Sequence, residues 1–279
     1  MSDLLAPTVS LTHGARMPVL GLGTWPFNDE EAERVVPRAI ELGYRLVDTA
    51  ENYGNERGVG RAVRACGLAR EEVFVTTKFN ARWHGRELVV QALESSLDRM
   101  GLDYVDLLLV HWPNPQQDRY VAACQGLADL LAAGRVRAIG VSNFKPTHLE
   151  RVLTEAGVIP DVDQVQLSPF TSRPTAREYC TTRGVVVQAW SPLGGGGARV
   201  LDDGTVQEVA REAGCTPAQT VLAWVRQLGA TAVVKSASPE RMRENLDSLE
   251  VVLDERQLAR LDALDQGESA AADSDEFGH

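Results

Sequence analysis

The stretch 44-YRLVDTAENYGNERGVGRAVRAC-66 sets the reading of the whole chain. It opens with a short apolar run of strand length, Tyr44–Val47, and passes through a polar loop that carries Asp48 and Tyr53. It closes in a helical pattern, Asn55–Cys66. A strand that feeds a helix through a polar turn is one βα unit. The same order returns along the chain. Further strands are expected at Val19–Gly23, Val73–Thr77, Val105–Val110, Val136–Val141, Val162–Leu167, Val185–Ala189 and Ala230–Val234, each short, apolar and rich in β-branched residues, as parallel strands buried on both faces must be. Helical patterns lie between them at Asp29–Leu42, Gly85–Met100, Asp118–Ala133 and Pro146–Ala156. Gly43, Gly101 and Gly134 stand where such helices stop. Gly204–Ala213 and Pro217–Leu228 share one crossover, so one of them is an addition to the repeat. Eight βα units in a chain of 279 residues predict an α/β fold of the TIM (β/α)8 barrel type.

Both ends fall outside the repeat. Thr8–Pro18 reads as a β-hairpin turning at His13-Gly14, placed to plug the bottom of the barrel. Gly267–His279 is acidic and without period: either a disordered tail or a flap over the opposite face. With no linker rich in Pro, Gly or Ser, the expectation is a single domain over residues 1–279, with an ordered barrel at about 8–265 and a tail at 267–279.

Composition narrows the function classes. A net charge of −11 argues against general nucleic-acid binding or an anionic membrane surface. No run approaches the apolar length of a membrane span, and Met1–Thr8 does not read as a signal peptide. Cys66, Cys124, Cys180 and Cys215 show no paired spacing and read as free thiols of a reducing cytoplasm. The basic residues are lopsided: Lys78, Lys145 and Lys235 are the only lysines among 28 Lys and Arg. A lysine is a compact charge whose pKa can be tuned, whereas an arginine is not.

In barrels of this kind the chemistry sits at the C-terminal ends of the strands. Here those ends are polar or aromatic: Thr24-Trp25, Asp48, Lys78, His111-Trp112, Ser142-Asn143, Gln164, Trp190-Ser191 and Lys235-Ser236. Asp48, Lys78 and His111 stand just past successive strands, with Tyr53 on the loop after Asp48. If these strands are neighbours, the four side chains converge on one face. A tyrosine is a poor acid, with a pKa of about 10. A lysine beside it favours the phenolate and lowers that value, a carboxylate keeps the lysine charged, and a histidine can orient a carbonyl oxygen. Taken singly, each has an ordinary alternative: a turn aspartate, a packed tyrosine, a solvated lysine, a core histidine. Trp25, Trp83, Trp112 and Trp190 also lie on these loops, as wall material for a pocket or as packing of the barrel rim.

The ordered series Asp48-Thr-Ala-Glu-Asn-Tyr53-Gly-Asn-Glu, Lys78 after Val-Thr-Thr, Leu-Val-His111-Trp-Pro, Gly140-Val-Ser-Asn-Phe and Ala189-Trp-Ser-Pro-Leu-Gly resembles the aldo-keto reductase superfamily, and most of all its bacterial branch related to 2,5-diketo-D-gluconate reductases. The resemblance runs from about Thr8 to Asp265. It implies a monomeric, NADPH-dependent oxidoreductase that reduces aldehydes and ketones, with Tyr53 as acid and Lys78, Asp48 and His111 around it. It also implies a cofactor lying against Gly23, Thr24 and Trp25, with Ser142, Asn143 and Gln164 on the nicotinamide carboxamide and Trp190 stacked under the ring. Ser191, Leu193 and the run Gly194–Gly197 would meet the pyrophosphate. Lys235, Ser236 and Arg241 would hold the 2′-phosphate, with Glu244 and Asn245 on the adenine. Arg241 and Arg243 sit in or near a helix start at Ser238-Pro239, where acidic residues are usually favoured. Arg243 reads equally well as a solvated side chain. Val234 departs from the proline usual in the family. Trp25, Trp83, His84 and Trp112 would wall a substrate pocket open to keto-sugars, dicarbonyls or aromatic aldehydes.

Other classes fit less well. Gly21-Leu-Gly23 leads to Pro26 rather than to a third glycine opening a helix, so the dinucleotide-binding fingerprint fails. Phe74, Val141 and Thr231 stand four residues before the lysines, where a Tyr-x-x-x-Lys pair would need tyrosine. The histidines are too scattered for a metal site. A non-catalytic NADPH-binding sensor or interaction protein on the same fold is the remaining alternative.

Overall fold

In a computed structural model the described residues are 6–195 and 199–279. Eight parallel strands close into a barrel: β3 (Leu20–Gly23), β4 (Leu46–Asp48), β5 (Phe74–Phe79), β6 (Leu107–Val110), β7 (Ala138–Ser142), β8 (Val162–Gln166), β9 (Val186–Trp190) and β10 (Thr231–Val234), the last pairing with β3. Two hydrophobic clusters result. One lies between the strands and the surrounding helices. The other fills the barrel interior with Met17, Leu46, Phe74, Leu107, Leu109, Ala138, Val162 and Val233.

The hairpin β1 (Thr8–Ser10) and β2 (Arg16–Pro18) plugs the N-terminal mouth, as the sequence predicts. Met17 is fully buried and its sulfur accepts from Gln188 Nε2 at 3.6 Å. The turn is tied down by His13, whose Nδ1 lies 3.0 Å from buried Asp161.

The helices are α1 (Asp29–Leu42), α2 (Glu56–Ala65), α3 (Leu88–Met100), α4 (Tyr120–Ala132), α5 (Pro146–Arg151), α6 (Pro174–Thr181), α7 (Gly204–Ala213), α8 (Pro217–Gln227), α9 (Pro239–Asp247) and α10 (Glu255–Asp262). Two glycines let α2 nest: a Cβ on Gly58 would lie 2.1 Å from the Asp29 carbonyl oxygen, and one on Gly60 1.9 Å from that of Met100. The helix expected at Pro146–Ala156 is α5 followed by a π turn over Val152–Ala156. No helix was expected at α6, which is short and starts at Arg173 (φ 48°) without a side-chain cap. None was expected at α10 either, although the reciprocal cap of Asp254 and Gln257 marks its start.

Several strands run further toward the C-terminal mouth than expected, although β8 stops one residue short of Leu167. β4 includes Asp48 and β5 includes Lys78, both expected just past their strands; β7 likewise extends to Ser142. The tail is the flap. From Glu268 onward it crosses the C-terminal mouth, touching loops that follow successive strands. Glu268 pairs with Arg173 at 2.8 Å, and the Ala272 N–H donates to Gln166. Lys145 reaches Asp273 at 2.6 Å and Asp275 at 2.5 Å, and His148 Nε2 lies 2.9 Å from Asp275. Gln116 donates to the Asp275 carbonyl, and the Ala81 N–H to that of His279. Gly278 passes so close to Asn114 that a Cβ there would come within 2.5 Å of its Nδ2.

Candidate active site

β4, β5 and β6 are neighbours in register, with Asp48 opposite Thr76 and Lys78 opposite Leu109. The barrel therefore brings the four separated residues together. Lys78 is fully buried; its Nζ donates to Asp48 Oδ1 at 2.6 Å and to the Thr49 carbonyl at 3.0 Å, and reaches the Tyr53 hydroxyl at 3.4 Å. The Tyr53 ring stands edge-on to His111, centroids 5.8 Å apart. Tyr53 sits in a single 3-10 turn, Glu51–Tyr53. Buried Asn55 anchors that loop: it accepts from Thr49 Oγ1 at 2.6 Å and donates to the Thr24 and Phe27 carbonyls at 3.1 and 2.9 Å. One amide thus ties the Tyr53 loop to the Trp25 loop. Asn55 was not singled out from the sequence, where it reads only as a helix start.

The electrostatics differ from expectation at one point. Burial pushes the Tyr53 phenol above its ordinary value of 10.0, and the nearby Lys78 charge, which pulls it down, does not offset this. Desolvation also opposes the charge on Lys78, but Asp48 and Tyr53 outweigh it, so the lysine is held above its usual value. His111 lies well below 6.5, first because it is buried and then because of the Lys78 charge. A protonated phenol, an ammonium and a neutral imidazole follow for neutral pH.

These residues border a cavity of about 310 Å³ at the C-terminal mouth. One wall holds Ser142, Asn143, Gln164, Trp190 and Ser191. Four of them form a connected set: Trp190 Nε1 donates to Asn143 Oδ1 at 2.9 Å, Asn143 Nδ2 to Ser142 Oγ at 3.0 Å, Ser142 Oγ to the Gln164 carbonyl at 2.7 Å, and Gln164 Nε2 to Asp48 Oδ2 at 2.8 Å. Gly23, Thr24, Trp25 and Trp112 also line the cavity, as do two tail residues the sequence did not single out, Phe277 and His279. The Phe277 ring meets Trp112 edge-on at 4.9 Å.

Trp83 and His84 are not among the residues lining the cavity, a correction to the expected substrate wall. The loop after β5 coils into a turn at Ala81–Trp83, and the Trp83 indole N–H is taken by Glu51 at 3.0 Å. His84 packs edge-on against Phe79 and is almost fully buried, which lowers its pKa to about 4. The residues expected around an adenosine phosphate lie elsewhere on the rim. Lys235 is exposed, its Nζ 5.0 Å from the centre of the Phe27 ring. Ser236 is buried, and Ser238 caps α9 by accepting from the Arg241 N–H at 3.3 Å. Arg241 is exposed, whereas Asn245 is buried and Glu244 half-buried. Leu193 and Gly194 follow β9, with Gly194 at φ 95°; Gly196 and Gly197 fall outside the described residues.

The family profile described as the Aldo/keto reductase family matches residues 19–266. The chain is 40% identical over 275 residues to the methylglyoxal reductase DkgA of Yersinia pestis, covering 98% of both. It is 43% identical over 266 residues to an aldo-keto reductase of Mycobacterium avium, covering 95% of this chain and 92% of the relative. Among solved structures, a variant of Gox0644 in complex with NADPH superposes with a TM-score of 0.92 at 36% identity, covering 98% of this chain and 99% of that one. The barrel with its site at the strand ends is an oxidoreductase of the carbonyl-reducing class. The chain belongs to the Aldo/keto reductase family.

Proposed function

We propose that this protein reduces small dicarbonyl compounds of the methylglyoxal type, using NADPH, with Tyr53 as the general acid. The observation that carries the acid role is the buried contact chain from Asp48 through Lys78 to the Tyr53 hydroxyl, opening on a cavity beside His111. The size of that cavity, about 310 Å³, favours a small substrate, because part of it must also take a nicotinamide. The names of the DkgA relatives support the dicarbonyl reading.

The residues present fit a nicotinamide. Trp190 offers a flat face, and Ser142, Asn143 and Gln164 bring hydroxyl and amide groups suited to a carboxamide. When bound, that group supplies the hydride. The protein's own residues do the rest. His111, neutral and buried, orients the carbonyl oxygen toward the Tyr53 hydroxyl. Tyr53 delivers its proton to that oxygen as negative charge develops there. Lys78, kept charged by Asp48, stabilises the phenolate left behind. On the rim, Lys235, Ser236 and Arg241 take the 2′-phosphate.

The test is NADPH consumption across a carbonyl panel of methylglyoxal, a keto-sugar, an aromatic aldehyde and a simple aliphatic aldehyde, repeated with NADH. The expected result is turnover with NADPH, highest kcat/KM on methylglyoxal. Tight NADPH binding without turnover on any carbonyl would refute the enzyme and favour a sensor.

A further inference from the structure

Asn55 stands at the start of α2 but does not cap it. A side chain at that position ordinarily accepts a main-chain N–H from the first turn of its own helix. The Asn55 side chain makes no such bond, and the Gly58 N–H of that turn is taken by Asp29 of α1 at 2.6 Å. The amide is turned inward instead, fully buried, and its bonds go to the loops around the site. The Thr24 and Phe27 carbonyls can only accept, so the amide nitrogen faces them and Oδ1 is left for the Thr49 hydroxyl, at 2.6 Å.

That last bond closes the neck of the loop 49–55, and Tyr53 lies within the loop. The strand ladder reaches to the Thr49 N–H, which donates to the Thr76 carbonyl at 2.9 Å. Past it the Tyr53 N–H meets the Ala50 carbonyl at 3.1 Å, and Gly54 turns the chain at φ 69°. Lys78 depends on this loop for two of its contacts. An ammonium has three N–H donors. One goes to Asp48; the others go to the Thr49 carbonyl at 3.0 Å and the Tyr53 hydroxyl at 3.4 Å, both carried by the loop. The phenol contact is the longest of the three and near the limit of a hydrogen bond, so a small shift of the loop breaks it first.

We propose that Asn55 is a positioning residue for the acid: pinned to the Thr24 and Phe27 carbonyls, it fixes Thr49 and so sets the Lys78 ammonium against the Tyr53 hydroxyl. The inference rests on the proposed role of Tyr53 as general acid and adds the side chain that keeps the acid and its lysine in register. Asn55 is not among the residues lining the cavity, so its effect reaches the reaction through Thr49.

The test is a double-mutant cycle on kcat, with saturating NADPH and the carbonyl of the panel that is turned over best. Thr49→Val removes the hydroxyl and keeps the main-chain carbonyl, Thr49→Ser keeps both, and Asn55→Ala removes the amide. Each is made in the wild type and in Tyr53→Phe. In the wild type, Thr49→Val and Asn55→Ala are expected to lower kcat about ten- to a hundredfold, the scale of a reacting group set about an ångström out of place, while Thr49→Ser stays within about twofold. In Tyr53→Phe the same changes should cost about twofold or less, because the phenol through which they act is gone. A loss just as large in Tyr53→Phe would make Asn55 a packing residue and overturn the inference, as would an unchanged kcat in both Thr49→Val and Asn55→Ala; either result leaves the reductase standing. Equal turnover in the wild type and Tyr53→Phe, or none in the wild type, would instead sink the proposed function, and the inference with it.

Discussion

Gln164 donates to the Asp48 carboxylate oxygen that Lys78 leaves free, at 2.8 Å, while Lys78 holds the other oxygen at 2.6 Å. One buried carboxylate therefore joins the Ser142–Trp190 wall of the cavity to the Tyr53 wall. Gln164→Leu is expected to lower turnover about tenfold and to weaken NADPH binding in the same variant, since it strips a hydrogen bond from a buried charge and a polar group from the proposed nicotinamide site. Steady-state kinetics with cofactor titration checks this; a change in neither quantity would refute the link.

Tyr53→Phe is expected to reduce kcat by about 10²–10⁴-fold while sparing NADPH affinity, because in the proposed mechanism the phenol hydroxyl acts only on the developing alkoxide. Lys78→Met should lose activity on the same scale and also destabilise the fold by about 3–5 kcal/mol, because Asp48 would be left buried without its cation. Unchanged turnover in Tyr53→Phe would rule out the acid role.

His84 makes stability depend on acid. Its folded pKa is depressed to about 4 from 6.5. As the pH falls below 6.5 the unfolded chain takes up a proton that the folded protein refuses. The contribution is thus fully present above 6.5 and is lost between there and about 4, to the extent of roughly 3 kcal/mol. Melting curves at about pH 7.5 and about pH 5 should show a smaller drop in His84→Phe than in the wild type; equal drops would refute it.

The strap depends on Lys145. Asp273 and Asp275 are half-exposed, so solvent screens both ion pairs and each contributes little to stability. Lys145→Ala should nonetheless speed amide exchange across residues 272–277 several-fold and raise KM for small carbonyls, and high salt should do the same to the wild type. Unaltered exchange in the tail would show that Phe277 on Trp112 suffices to hold it.

Arg241 is exposed at the start of α9, near the N-terminal end of the helix dipole. Arg241→Ala should raise KM for NADPH by about ten- to a hundredfold and leave NADH unaffected, as loss of a charge-assisted contact to a phosphate predicts. An equal effect on both cofactors would argue against the 2′-phosphate role.

The barrel was legible because its strands are apolar runs at regular spacing. Their ends were not, and for a reason tied to function: Asp48, Lys78 and Ser142 are ladder residues, but polar ones, so an apolar criterion stops before them. The convergence of Asp48, Tyr53, Lys78 and His111 followed from strand order alone. Trp83 and His84 were misplaced because a loop's direction after its strand is decided by a distant partner, here Glu51 for the Trp83 indole. Phe277 and His279 carried no sequence signal. Their path is set by Lys145, His148, Gln116 and Ala81, far away in the chain.

The Tyr53 side of the cavity is knitted by Asn55 to the Thr49 hydroxyl and to the Thr24 and Phe27 carbonyls, so loss of that one amide would loosen all three. The tail meets the rim through a few exchangeable charges, main-chain contacts and the aromatic edges of Phe277 and His279. Selection can therefore rewrite residues 271–279 with little effect on the proton-handling frame. New carbonyl preferences in this lineage should arise first in that strap, at small cost to folding.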